Sequence, residues 1–473
     1  MAVAFPVLFL CGCAAVGPDY KKPEIQTPDA WSAEISEKVE TGQESSLQTW
    51  WTIFDDPVLD EMIERGRQAN LDVQIAVERV AESRASLGTI KGERLPVVTA
   101  GANASLEELS ESESASGADS TVKSYDLGLG ASWEIDVFGR VRRSIEAAGA
   151  RYQATIEDYR DVMVTLYAEI AGAYFDIRSA QQRIISAQAN ADSMAKSLQL
   201  AEDRFSSGVS SRLDVVQARA SLEEARATIP LLRIDLVQAI NRLAILLGQE
   251  AGSLQHEFAS PAPLPVTHGL AGIGVPADVL RQRPDIRRAE RELAAQSAIV
   301  GVATSYLYPS FSLAGFFGLQ SDSLSDLFDS SALAWGIQSP VQWDVFNGGR
   351  IRQNVELQNA RLRQRLLQYR LKVLKAIEEV ENAIAAYNLN QQSEQHLVNA
   401  SDAIDEAVQL VLVQYDTGIT EFNNVLTTQR IQLSQQDQLI VTQTQAGLAL
   451  IDLYRALGGG WNPDDAIPAS VSP

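Results

Sequence analysis

The residue types that most often carry out chemistry are sparse in this chain. Its two cysteines, Cys11 and Cys13, both lie near the amino terminus, so the sequence after them offers neither a disulfide nor a thiolate metal site. The histidines His256, His268 and His396 are far apart and lack the spacing of metal ligands. We therefore expect no metal site and no other cofactor.

Two short motifs look like fragments of a nucleotide-binding site. They are Gly128-Leu129-Gly130 and Asp136-Val137-Phe138-Gly139, which fall within a strand-like segment and at its end. Neither is accompanied by a phosphate-binding loop or by a nucleophile beside a general base. The sequence therefore predicts that the protein is not an enzyme.

The charge balance argues against a further class of function. The chain has 39 basic and 61 acidic residues, which gives a formal net charge of −22. Binding to nucleic acid requires a basic face, so we expect no nucleic-acid partner. Hydrophobic residues make up 45% of the chain, which is enough apolar surface for folding.

The amino terminus has the pattern of an export signal. Residues 1–10 are an apolar run too short to span a bilayer as a helix, and we interpret residues 1–12 as a signal peptide. The segment Leu10-Cys11-Gly12-Cys13 resembles a bacterial lipobox, with the small Gly12 before Cys13 and Ala14 after it. This resemblance implies acylation of Cys13 and sorting to the outer membrane. A cleaved signal without a lipid is the alternative.

The chain contains two copies of one plan. Four segments recur in the same order: Asp136-Val137-Phe138 as Asp344-Val345-Phe346, Arg140-Val141-Arg142 as Arg350-Ile351-Arg352, Ser207-Gly208-Val209 as Thr417-Gly418-Ile419, and Leu247-Gly248 as Leu457-Gly458. The last three share a shift of 210 residues (350 − 140), and matches around Gly88 and Gly301 share a shift of 213 (301 − 88). Matches in one order at a nearly constant shift indicate a duplication.

Each copy contains a very long segment of helical periodicity. Apolar or small side chains recur every three or four residues from Val141 to Ile177 and from Leu362 to Tyr387. No proline interrupts 140–205 or 350–415, so each helix could extend over roughly 100 Å. Such helices need neighbours along their whole length, as in a coiled coil. Shorter helices are predicted at 58–93, 212–247, 280–306 and 422–457, with a kink or a break at Pro230.

Segments of alternating polarity lie between the helices. We predict strands at 97–106, 123–135, 311–319 and 333–345. About nine to eleven residues, one apolar face and terminal aromatic residues are typical of transmembrane β-strands. A soluble hairpin packed on the helices would show the same alternation and is the alternative.

Four strands cannot close a barrel alone. An exported chain without a long apolar helix can cross a membrane only as a closed barrel. Small barrels need about eight strands, so several chains must pool their strands. Three chains would give twelve strands, and the arithmetic also permits two or four chains.

Several motifs together resemble one family. They are the lipobox with Gly17-Pro18-Asp19-Tyr20, Trp50-Trp51 with Asp56-Pro57, Arg283-Pro284-Asp285-Ile286-Arg287, Tyr308-Pro309-Ser310, Trp343-Asp344-Val345-Phe346, and the ending Ala456-Leu457-Gly458-Gly459-Gly460-Trp461. The chain resembles the outer-membrane factors of tripartite efflux pumps, the NodT or OprM type of the TolC-like family, from about residue 10 to residue 461.

The resemblance implies a mainly α protein with a transmembrane β-barrel. A homotrimer would share twelve strands, and its long, coiled-coil-like helices would form a tunnel through the periplasm. The trimer would be anchored in outer-membrane lipid and would meet a periplasmic adaptor protein. The adaptor would link it to an inner-membrane transporter of the resistance-nodulation-division type, which delivers drugs or other small molecules.

The resemblance also implies two sites. The helix tips that contact the adaptor match the reversals Gly208-Val209-Ser210 and Gly418-Ile419-Thr420, although turn geometry alone would also explain these residues. The periplasmic aperture lies just beyond the second tip, where the family commonly has carboxylates and this chain has Asn424 and Thr427. Asp214 and Asp416 could supply charge instead, and the alternative is that both are solvated acids at helix ends. As a hypothesis, Asp214 helps to hold the aperture closed.

These interpretations divide the chain into six segments. They are the signal peptide (1–12), a lipidated segment (13–57), a first repeat (58–250), a linker (251–279), a second repeat (280–460) and a carboxy-terminal tail (461–473). Two other functions stay open: a polypeptide-secretion (type I) exit duct of the same fold, and a lipid-tethered structural coiled-coil protein.

Overall fold

A computed structural model describes residues 15–25, 28–32, 45–108, 110, 121–266 and 282–462. The predicted signal peptide and Cys13 lie outside these ranges. The chain divides into two compact units. Unit 1 comprises residues up to Glu24, Val80–Ile156 and Arg288–Arg370, and unit 2 comprises Ile25–Arg79, Glu157–Arg287 and the chain from Leu371 onward.

The helices occur in the predicted order. After one turn at Ser45–Gln48 and a 3-10 turn at Trp50–Phe54, they are α1 (Pro57–Ala69), α2 (Leu71–Gly92), α3 (Arg140–Ser206), α4 (Arg212–Leu246), α5 (Pro284–Ser305), α6 (Arg350–Asp416) and α7 (Phe422–Ala456). The helices α3 and α6 each contain 67 residues, so each extends over roughly 100 Å. Within the described parts of the chain, no helix is both long and apolar enough to cross a membrane.

Two helices differ from the prediction in where they are interrupted. The expected helix at 58–93 is divided at Asn70, whose side-chain oxygen accepts a hydrogen bond from the Val73 amide at 3.0 Å and so begins a new helix. The helix α4 continues through Pro230 without the break that a proline can cause. Pro230 is exposed, so the carbonyl that loses its helical donor lies on the solvent face.

Unit 1 contains one antiparallel sheet in the order β1-β2-β3-β4. Its strands are β1 (Val97–Glu108), β2 (Thr121–Ile135), β3 (Ser310–Ser321), β4 (Leu333–Gln338) and β5 (Val341–Gln342). The short β5 continues the line of β4 and also pairs with β3. The sheet therefore has four strand positions, two from each copy of the duplication.

The strand predicted at 333–345 is interrupted at Ser339-Pro340 and ends at Gln342. Pro340 has no amide hydrogen to donate to β3. The Ser339 hydroxyl instead donates to the Ser312 carbonyl at 3.1 Å, and the Ser312 amide donates to the Pro340 carbonyl at 3.1 Å. The pairing with β3 thus keeps its register across the interruption.

The structure corrects one of the predicted repeat matches. Asp136 accepts hydrogen bonds from the amides of Val141 and Arg142 at the start of α3. Asp344 instead pairs with Arg350 at 3.6 Å, as Glu134 pairs with Arg140 at 2.8 Å in the first copy. Asp344 is therefore the counterpart of Glu134, and the recurrence of Asp-Val-Phe is displaced by two residues from the structural correspondence.

The main hydrophobic core of unit 2 contains several packed aromatic residues, among them Trp50, Phe54 and Phe175. Trp50 is fully buried and stacks on Tyr454 with ring centroids 5.5 Å apart. Phe54 packs edge-on against Phe175 at 4.9 Å. Gly447 lies so close to Phe175 that an added Cβ would come within 2.1 Å of the ring, which explains a glycine inside α7.

A group of buried charges also lies in unit 2. The Arg283 guanidinium makes two hydrogen bonds to the Asp285 carboxylate, at 3.0 and 2.9 Å, and donates to the Ala456 carbonyl at 2.7 Å. Lys372 lies 2.9 Å from the same carboxylate. Burial raises the pKa of Asp161 to about 6, and the negative charge of Asp285 adds to this effect.

We predict that Asp161 makes the stability of unit 2 depend on pH. Because the folded pKa exceeds the unfolded value of about 4, the folded state binds more protons between these values. The free energy of unfolding should therefore fall as pH rises from 4 to 6. Asp161→Asn should raise it by ~2 kcal/mol above pH 7, measured by thermal unfolding in detergent.

Asp192→Asn is the matched control, because Asp192 lies on the same helix and is exposed. It should leave both the stability and its pH dependence unchanged. An Asp161→Asn protein whose stability falls with pH as steeply as that of the parent would contradict the assignment.

Candidate functional site

The first helix reversal is built around Gly208. The Gly208 amide donates to the Phe205 carbonyl at 3.0 Å and the Val209 amide to the Arg204 carbonyl at 2.9 Å, the two bonds of a Schellman motif. Gly208 adopts φ +74°, a conformation that side chains disfavour. The turn therefore ends α3 and begins α4 within a few residues.

The second reversal repeats this geometry around Gly418, which adopts φ +77°. The Gly418 and Ile419 amides donate to the carbonyls of Tyr415 and Gln414, at 3.0 and 2.8 Å. The residue after each glycine is apolar and projects into solvent, since Val209 is 65% and Ile419 77% exposed. Each reversal thus presents one exposed β-branched side chain.

The helices that leave the two reversals begin differently. Ser211 caps α4: its hydroxyl oxygen accepts from the Asp214 amide at 3.3 Å, and its hydroxyl donates to the Asp214 carboxylate at 2.7 Å. At the equivalent place in the second copy, Glu421 makes no side-chain capping bond to α7. Instead, the Asn424 amide group donates to the Thr420 hydroxyl at 2.7 Å.

A small apolar cluster joins the two reversals inside unit 2. We call it the tip cluster; its buried members are Ala201, Val215, Ala218, Tyr415, Phe422, Val425 and Leu426. The rings of Tyr415 and Phe422 lie 5.0 Å apart. The cluster contains residues of α3, α4, α6 and α7, so it fixes the first helix pair against the second.

Arg204 bridges the end of α3 to the end of α6. Its guanidinium lies over the Tyr415 ring, 4.8 Å from the centroid, and donates to the Asp416 carbonyl. A cation over an aromatic face contributes roughly 0.5 to 2 kcal/mol, depending on desolvation. The arginine also lies at the negative end of the α6 dipole, which adds to the attraction.

The Tyr415 hydroxyl connects α6 to α4. It donates to the Asp214 carboxylate at 3.3 Å. Burial raises the pKa of Tyr415, and the negative charge of Asp214 raises it further, so the hydroxyl keeps its proton at neutral pH and acts as the donor. Arg204, Tyr415 and Asp214 therefore form one continuous polar link across the reversals, which we call the tip link.

The predicted aperture residues are only partly brought together. Asp214 is in the tip link, whereas the exposed Asp416 contributes its backbone carbonyl to it. Asn424 bonds to Thr420, and the Thr427 hydroxyl donates to the Asn423 carbonyl of its own helix at 2.8 Å. None of these contacts forms a ring of carboxylates within the described chain.

The sequence reasoning did not identify Arg204 and Tyr415. A signal for both was present in the difference between the two copies. At the shift of 210 residues, Arg204 corresponds to Gln414, and Tyr415 to Phe205. Phe205 is 45% exposed and Tyr415 only 3%, so the two aligned aromatic residues have different environments.

The described residues contain no group of three or more histidines, cysteines or carboxylates that could hold a metal ion. In the tip link, Arg204 donates through Nη1 to backbone, and Asp214 accepts from the hydroxyls of Tyr415 and Ser211. The link has no nucleophile beside a general base. This arrangement can hold α6 against α3 and α4, and it can release α6 when the link is broken.

Comparisons with known proteins agree with this description. A family model described as "Outer membrane efflux protein" matches residues 62–249 and 275–459. Nodulation protein T of Rhizobium leguminosarum bv. trifolii is 31% identical over 458 residues, which cover 96% of this chain and 96% of that protein. The solvent efflux pump outer membrane protein SrpC of Pseudomonas putida is 30% identical over 465 residues, with 97% of each chain covered.

A solved structure has the same fold. The outer-membrane channel OprN superimposes with a TM-score of 0.89 at 36% sequence identity. The match covers 94% of this chain and 99% of that one.

The capped start of α4 leads to a prediction. Ser211→Ala should remove the cap and destabilise the first turn of α4 by about 1 kcal/mol. Amide hydrogen exchange in peptides covering 212–218 should then become about fivefold faster, as that free energy implies.

Glu421→Ala provides the matched control at the second reversal, where no side-chain cap exists to be lost. Exchange in the first turn of α7 should stay the same. Equal acceleration in both variants would show that the cap does not hold this turn.

Proposed function

The chain belongs to the outer membrane efflux protein family, and from this membership we propose that it forms the passive, gated exit duct of a tripartite efflux system. It is an outer membrane efflux channel that extends into the periplasm, and not an enzyme. In the proposed system an inner-membrane transporter of the resistance-nodulation-division type supplies the energy. A periplasmic adaptor protein connects that transporter to the duct.

The observation that carries the proposal is the open sheet of unit 1. Its four strand positions are too few for a barrel, and its strands expose one apolar face with residues such as Leu129, Phe317 and Trp335. Pooling the sheets of several copies would give a closed wall with this face toward lipid. Three copies give the twelve-stranded barrel of a homotrimer, and the paired long helices would form its periplasmic tunnel.

The lipid anchor at Cys13 is part of the proposal. The residues that follow it are held in unit 1 by Arg143, which is buried and donates to the Val16 carbonyl at 3.2 Å and to the Asp19 carboxylate at 2.7 Å. The Val16 amide donates to the Phe138 carbonyl at 3.0 Å, just after β2 ends. This fixed segment supports a lipid attachment next to the bases of the strands.

The proposed cargo consists of drugs or other small molecules. One relative is named for solvent efflux, which supports small-molecule cargo. A passive duct conducts what the transporter delivers, so the choice among small molecules would belong to that transporter.

We propose that the tip link keeps the aperture closed. It ties α6 to both α3 and α4, so the second helix pair cannot move away from the first while the link is intact. The Tyr415 hydroxyl is the part that can be removed with the least change in packing. Hydrogen bonds to charged groups contribute roughly 1.5 to 3 kcal/mol, and the 3.3 Å distance places this one at the low end.

Tyr415→Phe should therefore favour the open state. We expect the open probability of the purified channel in planar bilayers to rise about tenfold, as a loss of ~1.4 kcal/mol implies. Asp214→Ala should act in the same direction, and the double variant should not exceed the larger single effect, because both changes break the hydrogen bond between Tyr415 and Asp214.

Tyr387→Phe is the matched control for this experiment. Tyr387 lies on the same helix, is equally buried, and has its own hydrogen bond from Gln391 at 2.6 Å. Its substitution should leave conductance at the parental level. If Tyr415→Phe and Asp214→Ala both conduct as the parent does in the closed state, the tip link does not gate the duct.

The exposed apolar residues at the two reversals are the proposed contacts to the adaptor. A charge at either position would be desolvated in a packed interface, which is costly. Val209→Asp and Ile419→Asp should therefore abolish efflux-dependent resistance in cells that rely on this duct, while conductance in bilayers stays normal. Val209→Ile serves as the conservative control and should retain resistance. Full resistance with both aspartate variants would contradict adaptor contact at the tips.

A further inference from the structure

The two outer edges of the sheet in unit 1 have no partner strand within the described chain. The strand β1 pairs only with β2, and β4 and β5 pair only with β3. An unpaired edge presents a row of free amide and carbonyl groups to a further strand. The internal duplication of this chain makes it possible to derive which residues would meet.

The two hairpins correspond residue by residue. Val97 lies opposite Ser132 in the first hairpin, and Ser310 lies opposite Gln342 in the second. The shift is therefore 213 residues from β1 to β3 (310 − 97) and 210 from β2 to β4–β5 (342 − 132). The same shifts relate two indole hydrogen bonds, from Trp133 to the Arg94 carbonyl and from Trp343 to the Leu307 carbonyl.

The junction between the hairpins is also known, because β2 pairs with β3 inside the chain. Gly128 lies opposite Gly318, and Ala131 lies opposite Gly315. Applying the same two shifts to this junction gives the corresponding junction between two copies of the chain. In that junction the strand β4–β5 of one copy meets β1 of another.

We propose that β4–β5 pairs antiparallel with β1 of a second copy, with Gln338 opposite the partner's Ser105 and Val341 opposite the partner's Ala102. The inference rests on the proposed function, because it presumes that several copies share one sheet. It adds the register of the strand pair that joins them.

The derived register agrees with the two-sided chemistry of the strands. Ile337 and Val341 lie on the apolar face, opposite Gly315 and Phe311 of β3. Their derived partners are the partner's Leu106 and the partner's Ala102, which lie on the same face because they oppose Lys123 and Leu127 of β2. A slip of one residue would place apolar side chains on the polar face.

Pro340 is compatible with this pairing. The Ser312 amide donates to the Pro340 carbonyl, so residue 340 points its backbone polar groups toward β3. Since these directions alternate along a strand, Ser339 and Val341 point theirs toward the outer edge. Pro340 therefore lacks a donor only on the side that faces β3, and the edge that meets the second copy keeps its donors.

Two corresponding helix positions, one on α5 and one on α2, also differ in whether a side chain of the described chain packs against them. Gly301 on α5 lies against Arg143, because an added Cβ would come within 2.9 Å of the arginine side chain. Its counterpart Gly88 on α2 has no atom within 4 Å of that position in the described part of the chain, apart from its neighbours in its own helix. The counterpart of Arg143 is Gln353, so the derived contact places Gln353 against the partner's Gly88.

Disulfide cross-linking tests the register. We would use the full chain carrying Gln338→Cys and Ser105→Cys, oxidised in isolated outer membranes. Paired strand positions meet the geometric needs of a disulfide, so covalent multimers should form, because every copy carries both cysteines. Gln353→Cys with Gly88→Cys should link in the same way at the helices.

The controls are Gln338→Cys with Asn103→Cys and Gln338→Cys with Glu107→Cys. Both keep the cysteines on one face and displace the register by two residues, so they should link at least about tenfold more slowly. Faster linking in either control would overturn the derived register, as would an oligomeric protein in which the derived pairs do not link. A protein that is monomeric in mild detergent and links nowhere would instead refute the shared barrel.

Discussion

The constraint on which the rest of the molecule depends is that backbone amides and carbonyls inside a lipid bilayer must be hydrogen bonded. Each unsatisfied group in that environment costs several kcal/mol. A four-position sheet with the free edges β1 and β4–β5 cannot meet this requirement alone. In the proposed barrel the chain would therefore depend on further copies of itself, and the correspondence in register between its two hairpins would let one hairpin follow another around a common axis.

The duplicated chain is asymmetric at its two helix reversals. Both reversals retain the glycine turn and an exposed β-branched residue, Val209 or Ile419, which is what a repeated contact with a partner would need. The polar link differs, because Arg204, Asp214 and Tyr415 correspond to Gln414, Asn424 and Phe205. The first copy supplies the cation and the carboxylate, and the second supplies the phenol. A link of this kind restrains one helix pair relative to the other, which two identical copies could not do with the same residues in both roles.

Much of this architecture could be predicted from the sequence. Local patterns that leave few alternatives were enough for three features. They are the long stretches of helical periodicity in α3 and α6, the alternation in β1, β2 and β3, and the two reversals at Gly208 and Gly418. The features that escaped prediction depend on contacts made at a distance. Asn70 ends one helix and caps another, Ser339 replaces a donor that Pro340 lacks, and the repeated Asp-Val-Phe tripeptide misleads because its two aspartates bond to different partners. For the site, the glycines and Asp214 could be named in advance, whereas Tyr415 and Arg204 fit the ordinary helical period and gain their role only from packing between helices.

The register of the sheet also determines how far the strands lean. Ala104 of β1 pairs with Tyr125 of β2, which in turn pairs with Ser321 of β3. The counterpart of Ala104 in the second hairpin is Phe317, which lies four residues before Ser321. Each hairpin therefore advances by four residues, roughly 13 Å along the strands, over two strand spacings of roughly 10 Å in total. In a closed wall this stagger corresponds to a lean of more than about 45° from the axis, and a greater lean widens a cylinder made from a given number of strands. A strand as long as β2, with 15 residues, is then suited to crossing the bilayer obliquely. The bore of the proposed barrel would be broader than the same number of upright strands would enclose.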